Sequence, residues 1–238
     1  MILVDLRERF DAGYLDAFIR LYNETFTDSA EREDPGQWSW RLRQDCPTPQ
    51  PTSHLLVAVD EPESRQPRVM GGLAFEHYRE SDCGLLTYMV VDRPYRRRGL
   101  AARFVGKAIE VLNQDADRDG RPLSAVFGES EDPKACSQVS GGVTPSERLA
   151  ILKKLGARRI ELSYVQPQLL GGSGRCRHLL LLAFYVRGNG QADWIDGEIV
   201  KGFLHEFYRA LGVARPDDDP DIIEMYKHLR PQTALKEL

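Results

Sequence analysis

The sequence predicts an α/β or α+β fold, a mixed sheet with helices packed on it, and three observations carry that expectation. Short apolar runs bounded by turn residues alternate with stretches of helical periodicity. One of those helical stretches has readable caps at both ends. No internal repeat interrupts the alternation, which argues for helices layered on one sheet and against a stacked array.

In chain order, Tyr14, Leu15, Phe18, Ile19 and Tyr22 recur at helical spacing and predict a helix from Ala12 to Thr25. The acidic segment DSAEREDPGQW follows as a loop or as the start of a second helix, Pro35 being suited to a first turn. SHLLVAVD reads as a short buried strand, EPESRQP as a turn-rich connector, and RVMGGLAFEHY and GLLTYMVV as neighbouring strands. Gly71 and Gly72 mark a bulge or a close approach of backbone. A helix starting near Gly99 runs to the break DADRDGRP, and LSAVFGE is the next strand. In TPSERLAILKKLG, Thr144 can cap, Pro145 occupies the first turn, Glu147 completes a capping box and Gly156 stops the helix. The last strands of this region are ARRIELSYVQ and RHLLLLAFYV, joined by PQLLGGSGRC.

The chain changes character near RGNGQADW. Beyond it, Ile195, Ile199, Phe203, Phe207 and Leu211 outline an amphipathic helix, and DDDPDIIEMYKHL begins another with Asp219 as cap and Pro220 in the first position. Residues 188–238 are too few to hold a core alone, so a helical extension packed on the main domain or at a homodimer interface is expected.

Composition narrows the function. The 238 residues carry a formal net charge of -4, which argues against nucleic acid as the main partner, because counterion-release binding needs a basic surplus. The N-terminus meets charge at Asp5, and no run approaches the roughly 20 apolar residues of a membrane span, so a cytoplasmic protein is expected. Cys46, Cys83, Cys136 and Cys176 lack CxxC spacing, so reduced thiols and no metal are expected.

Against this mildly acidic background, VVDRPYRRRGLAARFVGKAIEVL concentrates arginines where a strand ends and a helix begins. A helix N-terminus attracts anions through unpaired N–H groups, Gly99 admits a phosphate without a Cβ, and Ala101 and Ala102 keep the first turn open. Arg96, Arg97 and Arg98 add permanent charge. A phosphate-bearing ligand is one reading of the junction; a solvated charged loop ahead of a helix is the other. Neither GxGxxG nor GxxxxGK[ST] is present.

The same stretch resembles the acetyl-CoA-binding motif of the GNAT superfamily of N-acetyltransferases, Q/R-x-x-G-x-G/A, read here as Arg96-Arg97-Arg98-Gly99-Leu100-Ala101. The order of elements agrees over residues 1–187. The resemblance implies a mostly antiparallel mixed sheet splayed between the motif strand and the following strand. It implies acetyl-CoA as co-substrate, its pyrophosphate held by backbone from Arg97 to Ala102 with help from Arg96, Arg97 and Arg98. Val90 and Val91 would pair through their backbones with the pantetheine arm, and one of their N–H groups would meet the developing oxyanion. The implied reaction is direct attack of a primary amine, on a small or a larger molecule, on the acetyl thioester.

That chemistry requires a neutral amine, a donor to the oxyanion and, in some cases, an acid for the leaving thiolate. Glu129 and Glu131 follow the strand AVFGE and are candidate bases, with Glu76 and His77 as others on the strand before the motif strand. Many GNAT enzymes carry a Tyr in LYxKLGF as the acid. Here AILKKLGA has Leu152 at that position and Ala157 in place of Phe, so Tyr88, Tyr164 or Cys136 would have to substitute. The departure also raises an alternative, a CoA-binding regulatory or interaction module without catalysis. The resemblance places Glu31, Glu33, Asp34, Trp38, Trp40 and LLGGSGRC on the acceptor side, where acids and aromatics would suit a cationic amine or would simply pack and face water.

Overall fold

The computed structural model describes residues 1–26, 32–44, 50–60, 68–137, 139, 141–169, 174–188 and 193–238. Cys46, Glu31, the connector at 61–67 and residues 170–173 of LLGGSGRC lie outside the described residues. The elements run β1 (Ile2–Asp5), α1 (Ala12–Thr25), α2 (Trp38–Arg41), β2 (Thr52–Asp60), β3 (Arg68–Tyr78), β4 (Cys83–Val91) and α3 (Leu100–Arg118). Then come β5 (Ala125–Glu131), α4 (Pro145–Lys154), β6 (Arg158–Ile160), β7 (Leu179–Val186), β8 (Trp194–Ile195), α5 (Gly197–Ala210), α6 (Pro220–His228) and β9 (Thr233–Lys236).

Among the described residues nine strands form one sheet in the order β1-β2-β3-β4-β5-β7-β6-β9-β8. Every pairing is antiparallel except β4 with β5. That parallel pairing is short: Cys83–Leu86 meets Ala125–Gly128, after which β5 continues only against β7. Among the described residues the second half of β4 therefore has no strand on its β5 side, and the mixed, splayed sheet that the resemblance implies is present. Thr87 forms a bulge at the parting point, since Phe75 faces Leu86 while Ala74 faces Tyr88. Its hydroxyl donates to the Ala74 carbonyl at 2.9 Å.

Both faces of the sheet are covered. Helix α3 lays Phe104, Ala108 and Leu112 on Leu56, Leu73 and Phe75. On the other face α1 contributes Leu15, Phe18 and Tyr22, and α5 contributes Val200, Phe203, Leu204 and Phe207. Gly72 is the close approach expected from the sequence: a Cβ there would meet the Phe18 ring at 2.8 Å and the Leu56 carbonyl at 2.7 Å, so any larger residue would push α1 off the sheet. Caps act where local sequence placed them, with Asp11 accepting from the Tyr14 N–H, Thr144 and Glu147 closing a capping box, and Asp219 accepting from the Asp221 and Ile222 N–H groups.

Two expectations need correction. ARRIELSYVQ is a strand only over Arg158–Ile160, the rest leaving the sheet. The C-terminal segment is not purely helical, because β9 pairs with β6 and carries β8 at the sheet edge. In addition, β1 is a strand that periodicity did not reveal; at four residues it is too short for alternation to stand out.

Away from the opening, His54 ties three elements together. Its Nδ1 meets Asp5 and its Nε2 meets Asp115, both at 2.8 Å, and its ring stacks on Phe75. Burial disfavours the imidazolium, but the hydrogen bonds to Asp115 and Asp5 outweigh it and raise the pKa; Asp115, despite its burial, is held low mainly by the bond from His54. The contribution of His54 is full below its ordinary value of 6.5 and is lost as pH rises through the folded value. That of Asp115 is present above 3.8 and is lost as pH falls through its depressed value. His54→Gln should therefore cost about 3 kcal/mol in mildly acid solution. Urea unfolding of both proteins across pH should show the difference shrinking on either side of that window.

Candidate active site at the opening between β4 and β5

The parting of the strands opens a cavity of about 970 Å³ that passes through the sheet. One half is bounded by the loop after β4, the start of α3 and one side of α4, including Arg97, Gly99, Ala101, Glu147 and Ile151. The other half is bounded by Glu33, Glu76, Tyr78, Tyr88, Glu129 and Phe207.

Backbone direction decides what β4 offers to the cavity. The Asp92 N–H donates to the Met70 carbonyl at 2.9 Å, so Asp92 and Met70 form a hydrogen-bonded pair. With Gly71 opposite Val91 and Gly72 opposite Val90, antiparallel alternation makes Val90 and Gly72 the next such pair. Val90 thus spends its backbone groups on β3. Those of Met89 and Val91 point the other way, toward the opening, where the Val91 carbonyl is taken by Arg96 and its N–H faces the cavity. Met89 was missed from the sequence because the bulge at Thr87 shifts the parity of the strand, and nothing local announces that shift.

The loop that follows is wound by two left-handed residues, Arg97 at φ 62° and Gly99 at φ 76°. The second is where glycine is required, since a β-carbon disfavours this conformation. A Cβ on Gly99 would meet nothing within 4 Å, so the requirement is conformational and the space in front of it is open. No side chain caps α3; its first intrahelical bond is from Arg103 N–H to the Gly99 carbonyl, which leaves the N–H groups of Leu100, Ala101 and Ala102 as donors at the positive end of a 19-residue helix.

The three arginines have different placements. Arg96 turns inward, donating from Nε to the Val91 carbonyl at 2.9 Å and from its guanidinium to the Gly141 carbonyl at 3.1 Å, and so fastens the loop. Arg97 lines the cavity, as does Arg96. Arg98 lies over the Tyr95 ring at 5.5 Å and is outside the lining.

Glu129 is the first residue of β5 beyond the last β4 pairing, and it lines the cavity. The Tyr164 hydroxyl and the Gln166 amide, the latter at 2.9 Å, donate to it. Glu131, two residues on, is engaged by Arg148. Tyr88 packs edge-on against Tyr22 and Phe26 beside Trp38, and burial, then Glu33 and Tyr22, keeps its phenol well above the usual range and so protonated. Glu33 accepts from Trp38 Nε1 at 2.7 Å and from Arg41 at 2.8 Å. Trp38 is therefore in the wall behind the cavity, Trp40 is 50% exposed, and Asp34 caps a short turn at Gly36. Leu152 is buried against Leu180 and Leu182, so α4 directs an aliphatic side chain into the core and no phenol into the opening. His77 is buried beneath α3 and is not among the lining residues.

Residues 15–119 match the family described as Acetyltransferase (GNAT) family. Over those residues the chain is similar to a GNAT acetyltransferase domain. Among solved structures, a GNAT-family protein from Bacteroides thetaiotaomicron shares the fold at 15% identity, with a TM-score of 0.59 over 88% of this chain and 99% of that one. A tandem GNAT protein from the clavulanic acid biosynthesis pathway matches at 19% identity and a TM-score of 0.50, over 69% of this chain and 46% of that one. No curated protein matches. The cofactor of the GNAT family is acetyl-CoA, and the residues here fit it: open donors at the start of α3, an unobstructed Gly99, and strand-edge groups of Met89 and Val91 facing one continuous cavity. Among the described residues no helix is long and apolar enough to cross a membrane.

Proposed function

We propose that this chain is an acetyl-CoA-dependent N-acetyltransferase acting on a primary, cationic amine that enters from the Glu129 half of the cavity. The observation that carries the reading is a carboxylate on β5 facing the open backbone edge of β4 across one cavity. Bound acetyl-CoA supplies the acetyl thioester. Arg97 and the first-turn N–H groups of α3 hold its phosphates, with Arg98 close by, while Met89 and Val91 orient its arm and donate to the carbonyl oxygen as that oxygen gains charge. Glu129 receives the proton that the nitrogen gives up, directly or through water, as the new N–C bond replaces the C–S bond. Tyr88, which follows the bulge at Thr87 and lines the cavity, stays protonated and can donate to the departing thiolate.

Glu129 is favoured over Glu131 because Arg148 holds the latter, and over Glu76 because Glu76 faces Leu85, within the paired part of β4. Geometry ranks the candidates before acidity does. Glu129→Gln should lower kcat by about a hundredfold or more with acetyl-CoA affinity unchanged. Thiol release with a panel of amines, together with calorimetric titration of acetyl-CoA, checks this, and an unchanged kcat would remove Glu129 from the role. Tight acetyl-CoA binding with no thiol released by any amine would favour the non-catalytic module that Leu152 raises.

A further inference from the structure

The carboxylates that line the acceptor half of the cavity are already engaged. Glu33 accepts from Trp38 Nε1 at 2.7 Å and from Arg41 at 2.8 Å, Glu76 accepts the Tyr78 hydroxyl at 2.8 Å, and Glu131 is paired with Arg148. Glu129 accepts from Tyr164 and Gln166 and has a further interaction. Among the described lining residues no carboxylate is therefore set aside for a second positive charge on the acceptor. Elsewhere the wall of this half is apolar: Tyr78, Leu85, Leu179 and Phe207 line it, and the one hydroxyl among them is spent on Glu76.

Two lining residues have a buried polar atom without a partner among the described residues, Ser130 Oγ and Gln166 Oε1. Ser130 lies opposite Leu180, which packs with Leu152 of α4, and so belongs to the cofactor half. Gln166 stands beside Glu129 in the acceptor half. It is 5% exposed, and its backbone is pinned by two bonds with Cys176, at 2.9 and 3.1 Å. Glu129 decides which way its amide points: Nε2 donates to that carboxylate at 2.9 Å, and the reversed amide would set oxygen against oxygen. Oε1 is then a buried acceptor whose desolvation is uncompensated, and in a residue that lines a substrate cavity the ligand supplies the missing donor.

We infer that the acceptor is a primary amine with one charge and an apolar body, its nitrogen giving an N–H to Gln166 Oε1 and its body lying along Leu85, Leu179 and Phe207. This rests on the acetyltransferase reading and names its substrate class. The nitrogen loses one proton as the N–C bond forms and keeps the N–H that Gln166 holds, so amine and amide product make the same contact. A secondary amine has no N–H left for Gln166 once it is acylated. A second ammonium would be buried against an apolar wall, a cost that a singly charged amine avoids. Gln166 is on this account a specificity residue: it selects the nitrogen and takes no part in bond making.

The test takes ethylamine, butylamine and hexylamine as acceptors in the thiol-release assay and as ligands in calorimetric titration of the CoA-bound protein, with diaminohexane as the doubly charged match for hexylamine. KM should fall by about threefold to fourfold for each added methylene, and diaminohexane should show a KM at least about tenfold above that of hexylamine. The isomers sec-butylamine and N-methylpropylamine carry an extra methyl on carbon or on nitrogen and so isolate the N–H. The unaltered protein should favour the first by about tenfold in kcat/KM, and Gln166→Met should remove that preference while keeping the dependence on chain length. With the unaltered protein, a KM independent of chain length, a diamine that equals or betters hexylamine, or equal use of the two isomers overturns the inference, so a poorly folded variant does not rescue it. Calorimetry separates the two levels of failure. Amine binding that tightens with chain length, with no thiol released by any amine, defeats the acetyltransferase reading and keeps the site; turnover of all these amines alike does the reverse.

Discussion

Gly99→Glu is expected to weaken acetyl-CoA binding by at least about a hundredfold while the protein stays folded. Gly99 stands in the left-handed region at φ 76°, where a β-carbon costs about 1–2 kcal/mol, and among the described residues nothing beyond its chain neighbours lies within 4 Å of the space its Cβ would take. The cost of the substitution is therefore local backbone strain, partly offset because a carboxylate at a helix N-terminus is favourable. That same favourable position is the objection to binding. The new carboxylate would sit before the N–H groups of Leu100, Ala101 and Ala102, where the cofactor's phosphates belong, and would repel them. Gly99→Ala isolates the strain and should keep affinity within several fold. Calorimetric titration of acetyl-CoA with thermal melts of both variants checks the pair; undiminished affinity in Gly99→Glu would falsify the assignment of this helix terminus to the cofactor.

What could be read in the chain and what could not divide by the range of the interaction. Thr144, Pro145 and Glu147 declare a helix start because a capping box closes over three residues, and Asp219 with Pro220 does the same for α6. The motif from Arg96 to Ala102 was legible for the same reason, since a turn and the first helical residues that follow it make a local object. The roles that shifted all depend on partners distant in sequence. Arg96 reaches back to Val91 and across to Gly141, so one of the three arginines fastens the loop. Glu131 is paired through Arg148, seventeen residues away, which distinguishes it from Glu129 although both stand on one strand. Met89 replaces Val90 at the open edge because of a bulge whose register is fixed by β3. Gln166 enters the site because its segment leaves the sheet after Ile160 and returns only to an isolated bridge with Cys176. None of these follows from periodicity.

Truncation after Arg187 should abolish cooperative folding, and not merely uncover a surface. Helix α5 buries Val200, Phe203, Leu204, Phe207 and Tyr208 in a core shared with Tyr78, Leu85, Phe127 and Leu181. Phe203 packs at 4.6 Å from the Phe127 ring and edge-on to Tyr78, so the helix is the second layer over the strands that frame the opening. At about 1.5–3 kcal/mol for each large apolar side chain withdrawn from water, five such residues contribute on the order of 10 kcal/mol, comparable to the whole stability of a typical domain. Polar partners are lost as well: Glu206 accepts from the Glu80 N–H at 3.0 Å and from the Ser81 N–H and hydroxyl, each at 2.8 Å, at the turn between β3 and β4. A segment that only roofed the acceptor pocket, or only joined two copies, would come away and leave the remaining sheet intact, with a sharp thermal transition and unaltered acetyl-CoA affinity. Residues 1–187 should instead show no cooperative melt and no acetyl-CoA binding. Phe203→Ala in the full chain grades the effect, since deleting one buried ring costs about 3–5 kcal/mol and should lower the melting temperature without removing the transition. A folded, cofactor-binding fragment would show that the core beneath α5 closes without it.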